Sequence, residues 1–129
     1  KLEIAAACHA EGKVPSHCVV TEFKHTAALQ EAAEIASRRL GFTRMWSIHP
    51  AQIRPIVDAF TPKAAEIDQA IEILQLAQAA SWAPIRHHDV LHDRASYRYF
   101  WQVLERAHRT SGTQGRQLPA EVRAAWFDD

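Results

Sequence analysis

Two short apolar runs separated by one amphipathic helix constrain this chain more than any other feature. The first run is Val14-Pro15-Ser16-His17-Cys18-Val19-Val20-Thr21. It is β-branched towards its end, and Pro15 sits near its beginning, where a missing N–H is tolerated. The second run is Arg44-Met45-Trp46-Ser47-Ile48. Between them, from about Thr26 to Leu40, Leu29, Ala32, Ala33, Ala36 and Leu40 fall at helical spacing, with Glu31, Glu34, Arg38 and Arg39 on the other faces. Gly41 ends this helix. Two strands joined through a helix run parallel, because antiparallel neighbours need only a turn. The repeated strand–helix unit is the building block of a (β/α)8 barrel. Such a barrel normally takes about 250 residues. A chain of 129 residues holds about a quarter of one, plus something helical.

The remaining segments read as follows. Leu2 to Cys8 has helical character with no Ser, Thr, Asp or Asn to cap its start, as if it continued a structure begun elsewhere, and Gly12 closes it. After His49-Pro50, a short helix covers about Ala51 to Phe60, with Pro55 expected to bend or shorten it. Thr61-Pro62 then suits the cap and first position of a new helix reaching about Ala80, with Ile67, Ile71 and Leu74 on its inner stripe. The stretch from Ser81 to Leu91 lacks a helical period and reads as a loop or small hairpin turning at His88-Asp89. A helix from about Arg94 to Arg109 would bury Tyr97, Phe100, Val103, Leu104 and Ala107. Residues 111–117 read as a linker, and a last helix near 119–127 would dock by Trp126 and Phe127. The chain divides into 1–60, the last strand–helix units of a barrel, and 61–129, a helical C-terminal extension.

Composition narrows the function. Fifteen Lys+Arg balance fifteen Asp+Glu, which offers no basic field for nucleic acid. No apolar run of about 18 residues is present, so no membrane span is expected. Cys8 and Cys18, ten apart, could form a disulfide, but they read better as a reduced, buried pair, which weakly favours the cytoplasm.

Several residues have the chemistry of a site. Glu22 follows the first strand, and His49, Pro50 and Gln52 follow the second. Barrels carry their active sites at those C-terminal strand ends. Asp93 has two competing uses. It stands where a helix N-cap is expected, worth about 1 kcal/mol, and a carboxylate there can also act as a general acid or base. Position alone favours the cap. His87, His88, Asp89, His92 and Asp93 are metal-ligating types, but with no recognised ligand spacing they read as a solvated polar turn. No metal ligand is assigned.

The run Gly41-Phe42-Thr43-Arg44-Met45-Trp46-Ser47-Ile48-His49-Pro50-Ala51-Gln52 resembles the late-barrel stretch G-F-x-G-K-x-x-I-H-P-x-Q of the citrate lyase β-subunit-like family, within the HpcH/HpaI aldolase superfamily. Ala59-Phe60-Thr61-Pro62 matches the F-T-P that follows in that family, and Val90-Leu91-His92-Asp93-Arg94-Ala95 resembles its V/I-D-x-P helix start. The resemblance covers about residues 15–108.

The resemblance implies the C-terminal part of a Mg2+-dependent carbon–carbon lyase or aldolase with a (β/α)8 barrel. The substrate class would be a 3-hydroxyacyl-CoA, of the citryl-CoA or malyl-CoA type, or a related oxo acid. Cleavage beside a carbonyl leaves an enolate, which a divalent ion and an Arg stabilise while a carboxylate moves the proton. In the acyl-CoA branch that carboxylate comes from the C-terminal extension of a neighbouring subunit, and Asp93 matches it. His49, Pro50 and Gln52 would line the pocket, and Glu22 matches a position where relatives carry Asp. The family's metal-binding Glu and Asp and its substrate-binding Arg lie on earlier strands that nothing here matches. The resemblance therefore implies a parent of about 250–350 residues, an inactive isolated chain, and a homo-oligomer, trimer or hexamer. Thr43-Arg44 in place of G-K, Ala95 in place of proline, Pro55 within the short helix and His87-His88-Asp89 in place of a glycine-containing turn mark a divergent branch. The competing reading is a non-catalytic oligomerisation or binding module derived from such a barrel.

Overall fold

The computed structural model describes residues 1–22, 24–110 and 117–128. The chain is mixed α/β and folds as two compact units, Lys1–Phe60 and Thr61–Asp129. In the first, α1 (Leu2–Ala10) leads to β1 (Ser16–His17), α2 (Thr26–Glu34), β2 (Arg44–Met45) and α3 (Ile53–Phe60). No side chain caps the start of α1. Gly12 ends it at φ +63°, a left-handed conformation that glycine adopts without a Cβ clash, and Lys13 N–H reaches back to Cys8 O at 2.7 Å.

Strands β1 and β2 pair in parallel, Ser16 opposite Arg44 and His17 opposite Met45, as the crossover helix requires. Thr43 N–H donates to Pro15 O and Trp46 N–H to His17 O, both at 3.2 Å. The ladder is shorter than either apolar run. Helix α2 continues as one wide turn, Ile35–Arg39, in which Leu40 N–H donates five residues back to Ile35 O at 3.1 Å. That turn buries Ala36 and brings the Ser37 hydroxyl to Ala59 O on α3, 2.8 Å away. Gly41, at φ +73°, lets Phe42 N–H close on Ala36 O at 3.0 Å. Ala5, Ala36 and Phe42 form one buried cluster of this unit, flanked by Leu40 and Phe60, and Leu29, Ala33, Ile56 and Ala59 are buried as well. Pro55 sits inside α3, which starts at Ile53 after the turn Pro50–Gln52 and not at Ala51. It lies in the first turn of α3, where a backbone donor has no helical acceptor to lose.

In the second unit α4 (Ala64–Ala79) packs on α5 (Arg94–Thr110). The inner face of α5 is the one its periodicity indicates: Tyr97, Phe100, Val103, Leu104 and Ala107 are buried against Ile67, Ala70, Ile73, Leu74 and Ala77. Helix α4 begins later than Thr61-Pro62 suggested. Its N-cap is Lys63, whose backbone N–H donates to Glu66 Oε2 at 2.7 Å, so a carboxylate one turn into the helix sets the boundary in place of the Thr61 hydroxyl. Helix α6 (Ala120–Trp126) adds Val122 to the core, and Leu118, just before the helix, joins it. Just beyond it, Phe127 stacks on Trp101 and on His108, with centroids 5.1 and 4.9 Å apart. Except for Gln117, the expected linker lies outside the described residues.

Between α4 and α5 stands a hairpin, β3 (Ile85–His87) and β4 (Val90–His92), antiparallel with His87 opposite Val90. Its two-residue turn is His88-Asp89, at φ +46° and +61°. Two left-handed residues match the twist of paired strands, and this explains so tight a turn without glycine. The Tyr97 hydroxyl lies 2.7 Å from Ala83 O and 3.2 Å from His92 O, fixing the base of the hairpin to α5. Among the described residues no helix is long and apolar enough to cross a membrane.

Leu104 is fully buried between α4 and α5. Leu104→Ala is expected to lower unfolding free energy by about 2–5 kcal/mol, against a change within about 0.5 kcal/mol for Arg98→Ala on the exposed face. Urea denaturation followed by tryptophan fluorescence measures both.

Candidate active site

Because β1 and β2 are parallel, the segments that leave them emerge at the same end. Gln52 holds these segments together. Its Oε1 accepts from Ile48 N–H at 2.9 Å, and its Nε2 donates to Val20 O at 2.7 Å. One buried amide, 1% exposed, thus satisfies a backbone donor beyond β2 and a backbone acceptor beyond β1. The clamp ties the two segments to each other beyond the end of their ladder.

His49 caps the turn Pro50–Gln52 that brings Gln52 into place. Its Nδ1 accepts from Ala51 N–H at 3.1 Å, and its carbonyl accepts from the Ser47 hydroxyl at 2.9 Å. Pro50 is exposed at the first position of the turn, where a proline needs no donor. Glu22 is exposed on the segment beyond β1. Of these four residues, Gln52 is fastened to backbone on both sides, whereas the His49 ring and Glu22 face solvent.

His17 lies on the ladder beneath this end. Its Nδ1–H donates to Cys18 O at 3.2 Å, its Nε2 accepts from Lys1 Nζ at 3.3 Å, and its ring meets Phe42 edge-on at 5.0 Å. Burial pushes its pKa below the ordinary histidine value. The Lys1 charge acts in the same direction, and the bond to the Cys18 carbonyl opposes both. The cysteines are free, but they are not the buried pair expected: Cys18 is exposed and Cys8 partly so.

Asp93, in the second unit, does cap α5. Its Oδ1 accepts from Ala95 N–H at 2.9 Å and Ser96 N–H at 3.4 Å, while its own N–H donates to the Ser96 hydroxyl at 2.9 Å. Both cap bonds fall on Oδ1. Oδ2 has no hydrogen bond among the described residues, and the side chain is exposed. The cap therefore fixes the carboxylate in one orientation without consuming both oxygens.

The turn that precedes Asp93 is more than a solvated stretch, because the fold adds a residue to it. Glu72 on α4 accepts from His87 Nε2 at 2.8 Å, and His88 stands against His87 with ring centroids 4.0 Å apart. Glu72 lies 15 positions upstream on the exposed face of a helix, and no local spacing signals it. Among the described residues Glu72, His87 and His88 are the group placed to hold an ion. Two imidazoles and one carboxylate do not suit Mg2+, which takes oxygen ligands in octahedral array.

No family model matches the chain. Its sequence is 32% identical over 77 residues to the L-malyl-CoA/β-methylmalyl-CoA lyase of Rhodobacter capsulatus, covering 60% of this chain and 24% of that protein. The crystal structure of a citrate lyase from Burkholderia xenovorans LB400 superposes with a TM-score of 0.74 at 54% identity, covering 98% of this chain and 38% of that one. The CitE protein of Mycobacterium tuberculosis, solved with magnesium, acetoacetate and coenzyme A, shares the fold over 78% of this chain and 37% of its own, at TM-score 0.66 and 23% identity. The chain spans about a quarter of the curated relative's length.

The lowered His17 pKa has a direct consequence for stability. The unfolded chain takes up the proton near pH 6.5 and the folded chain at lower pH. Stability is therefore full above about pH 6.5 and declines as pH falls below it, levelling off once the folded-state pKa is passed. His17→Gln should flatten that part of the pH–stability curve, measured by urea midpoints from pH 7.5 to 5. Gln52→Leu leaves Ile48 N–H and Val20 O without their partner, and should cost about 1–3 kcal/mol by the same assay.

Proposed function

With the chain placed in the citrate lyase β-subunit-like family, at partial coverage of its members, we propose that it is the C-terminal part of a carbon–carbon lyase acting on a 3-hydroxyacyl-CoA of the malyl-CoA or citryl-CoA type. The observation that carries this reading is the 54% identity to a citrate lyase over 98% of the chain, sustained in three dimensions at TM-score 0.74. Residues 1–60 are then the last two strand–helix units of a (β/α)8 barrel, and 61–129 a helical extension. The parallel pair β1–β2 is the geometry such a barrel requires. Trp46, Ile48 and Ile53, all more than half exposed, are the apolar side chains that further barrel staves would cover.

In this reading the strand ends form one wall of the substrate pocket. Glu22, His49 and Pro50 line it, and Gln52 positions them by tying the two segments to each other. Magnesium, when bound, supplies charge stabilisation for the enolate; its ligands belong to earlier strands, as does the substrate-binding arginine. Asp93 contributes the general acid/base. Its helix cap aims the carboxylate and leaves Oδ2 to take or give the proton. The exposed hairpin before it, with Leu91 71% exposed, suits delivery to the site of a neighbouring subunit in a homo-oligomer. The isolated chain, lacking the metal site, is inactive.

The test uses the product of the complete reading frame, assayed for Mg2+-dependent cleavage of malyl-CoA and citryl-CoA. Asn caps a helix as well as Asp but cannot exchange a proton at neutral pH. Asp93→Asn should therefore leave the melting temperature unchanged while kcat falls about 10²–10⁴-fold. Unchanged turnover in that variant would reduce Asp93 to a cap. Absence of cleavage in the unaltered protein would favour a non-catalytic oligomerisation or binding module.

A further inference from the structure

We infer that Glu72, His87 and His88 form a binding site for a first-row divalent cation of the zinc class, separate from any magnesium chemistry and fastening the β3–β4 hairpin to α4. Neighbouring residues on a strand point to opposite faces, so adjacent histidines do not ordinarily share a ligand. Here His88 is the first turn residue, at φ +46°, and the left-handed bend folds its ring back onto His87, centroids 4.0 Å apart and 71° between planes. The third donor comes from α4, where the Glu72 carboxylate already meets His87 Nε2 at 2.8 Å. One nitrogen from each ring and one carboxylate oxygen all lie within 4.8 Å of one another.

Around a zinc ion with bonds of about 2.0–2.2 Å, tetrahedral ligands stand about 3.3 Å apart. The Glu72–His87 pair is already inside that span. Glu72 and His88 are both exposed, which leaves their side chains room to rotate towards an ion. Arg86, one residue back on β3, pairs with Asp89 across the turn. Two imidazoles with a carboxylate suit zinc, copper or nickel, and three protein ligands leave a fourth position to water. A bound ion would replace the single Glu72–His87 hydrogen bond by three bonds joining α4 to the hairpin, and hence to the loop that ends at Asp93.

The experiment uses the tag-free 129-residue chain and Zn2+ alone as probe. Competition against a chromophoric chelator should give one tight site per chain, with a dissociation constant in the micromolar range or below, and Zn2+ should raise the melting temperature. His88→Asn tolerates the left-handed turn and removes one ligand; Glu72→Gln can still accept the His87 hydrogen bond but loses its charge. Each should weaken Zn2+ binding at least tenfold and abolish the thermal shift, while His25→Asn, an exposed histidine in the other unit, should leave both unchanged. Binding weaker than about 1 mM in the unaltered chain would overturn the assignment. So would equal losses in His25→Asn, or affinity unchanged in both site variants. The readout is independent of any lyase activity, so failure here leaves the proposed function standing, and the reverse also holds.

Discussion

The first unit depends on two strands running in the same direction. Parallel neighbours cannot be joined by a turn, so the chain must leave the sheet, travel through α2 and return. Every other feature of Lys1–Phe60 follows from that detour. The wide turn at Ile35–Arg39 and the left-handed Gly41 bring the chain back onto the β1 edge. The turn Pro50–Gln52 then places a buried amide between the two departing segments. A parallel ladder of two residue pairs is weak by itself; the Gln52 clamp extends it as a pair of side chain–backbone bonds to the strand-end segments that carry Glu22 and His49.

The second unit is built on a different economy. Its core is an interhelical seam of Ile, Leu, Val and Ala with aromatics at its margins, and it satisfies its short antiparallel hairpin internally. The hairpin's conformation has two consequences. The left-handed His88-Asp89 turn gathers two imidazoles beside Glu72, and the strand that follows delivers Asp93 to the head of α5 with one oxygen in the cap. The cap bonds fall on Oδ1 alone, so capping does not by itself exclude the proposed acid/base role.

Much of this was legible in the residues. The 3.6-residue period of Tyr97, Phe100, Val103, Leu104 and Ala107 reports a face, and that face is the buried one, because a long helix obeys its own periodicity. The strand–helix–strand order of the first sixty residues likewise required the parallel pairing that is found. The misreadings have a common cause: each was decided by a partner distant from the local pattern. Thr61 has the chemistry of a cap, but the Glu66 carboxylate selects Lys63. Glu72 belongs to a histidine cluster only because α4 and the hairpin pack together. Cys18 lies in an apolar run that reads as a buried strand, and it is exposed because the ladder ends at His17.

Determining the structure of the product of the complete reading frame tests the central claim most directly. The outer edges of Ser16–His17 and Arg44–Met45 should each pair in parallel with a further strand, closing a barrel over Trp46 and Ile48. A structure in which either edge stays unpaired, or pairs antiparallel, would contradict the account.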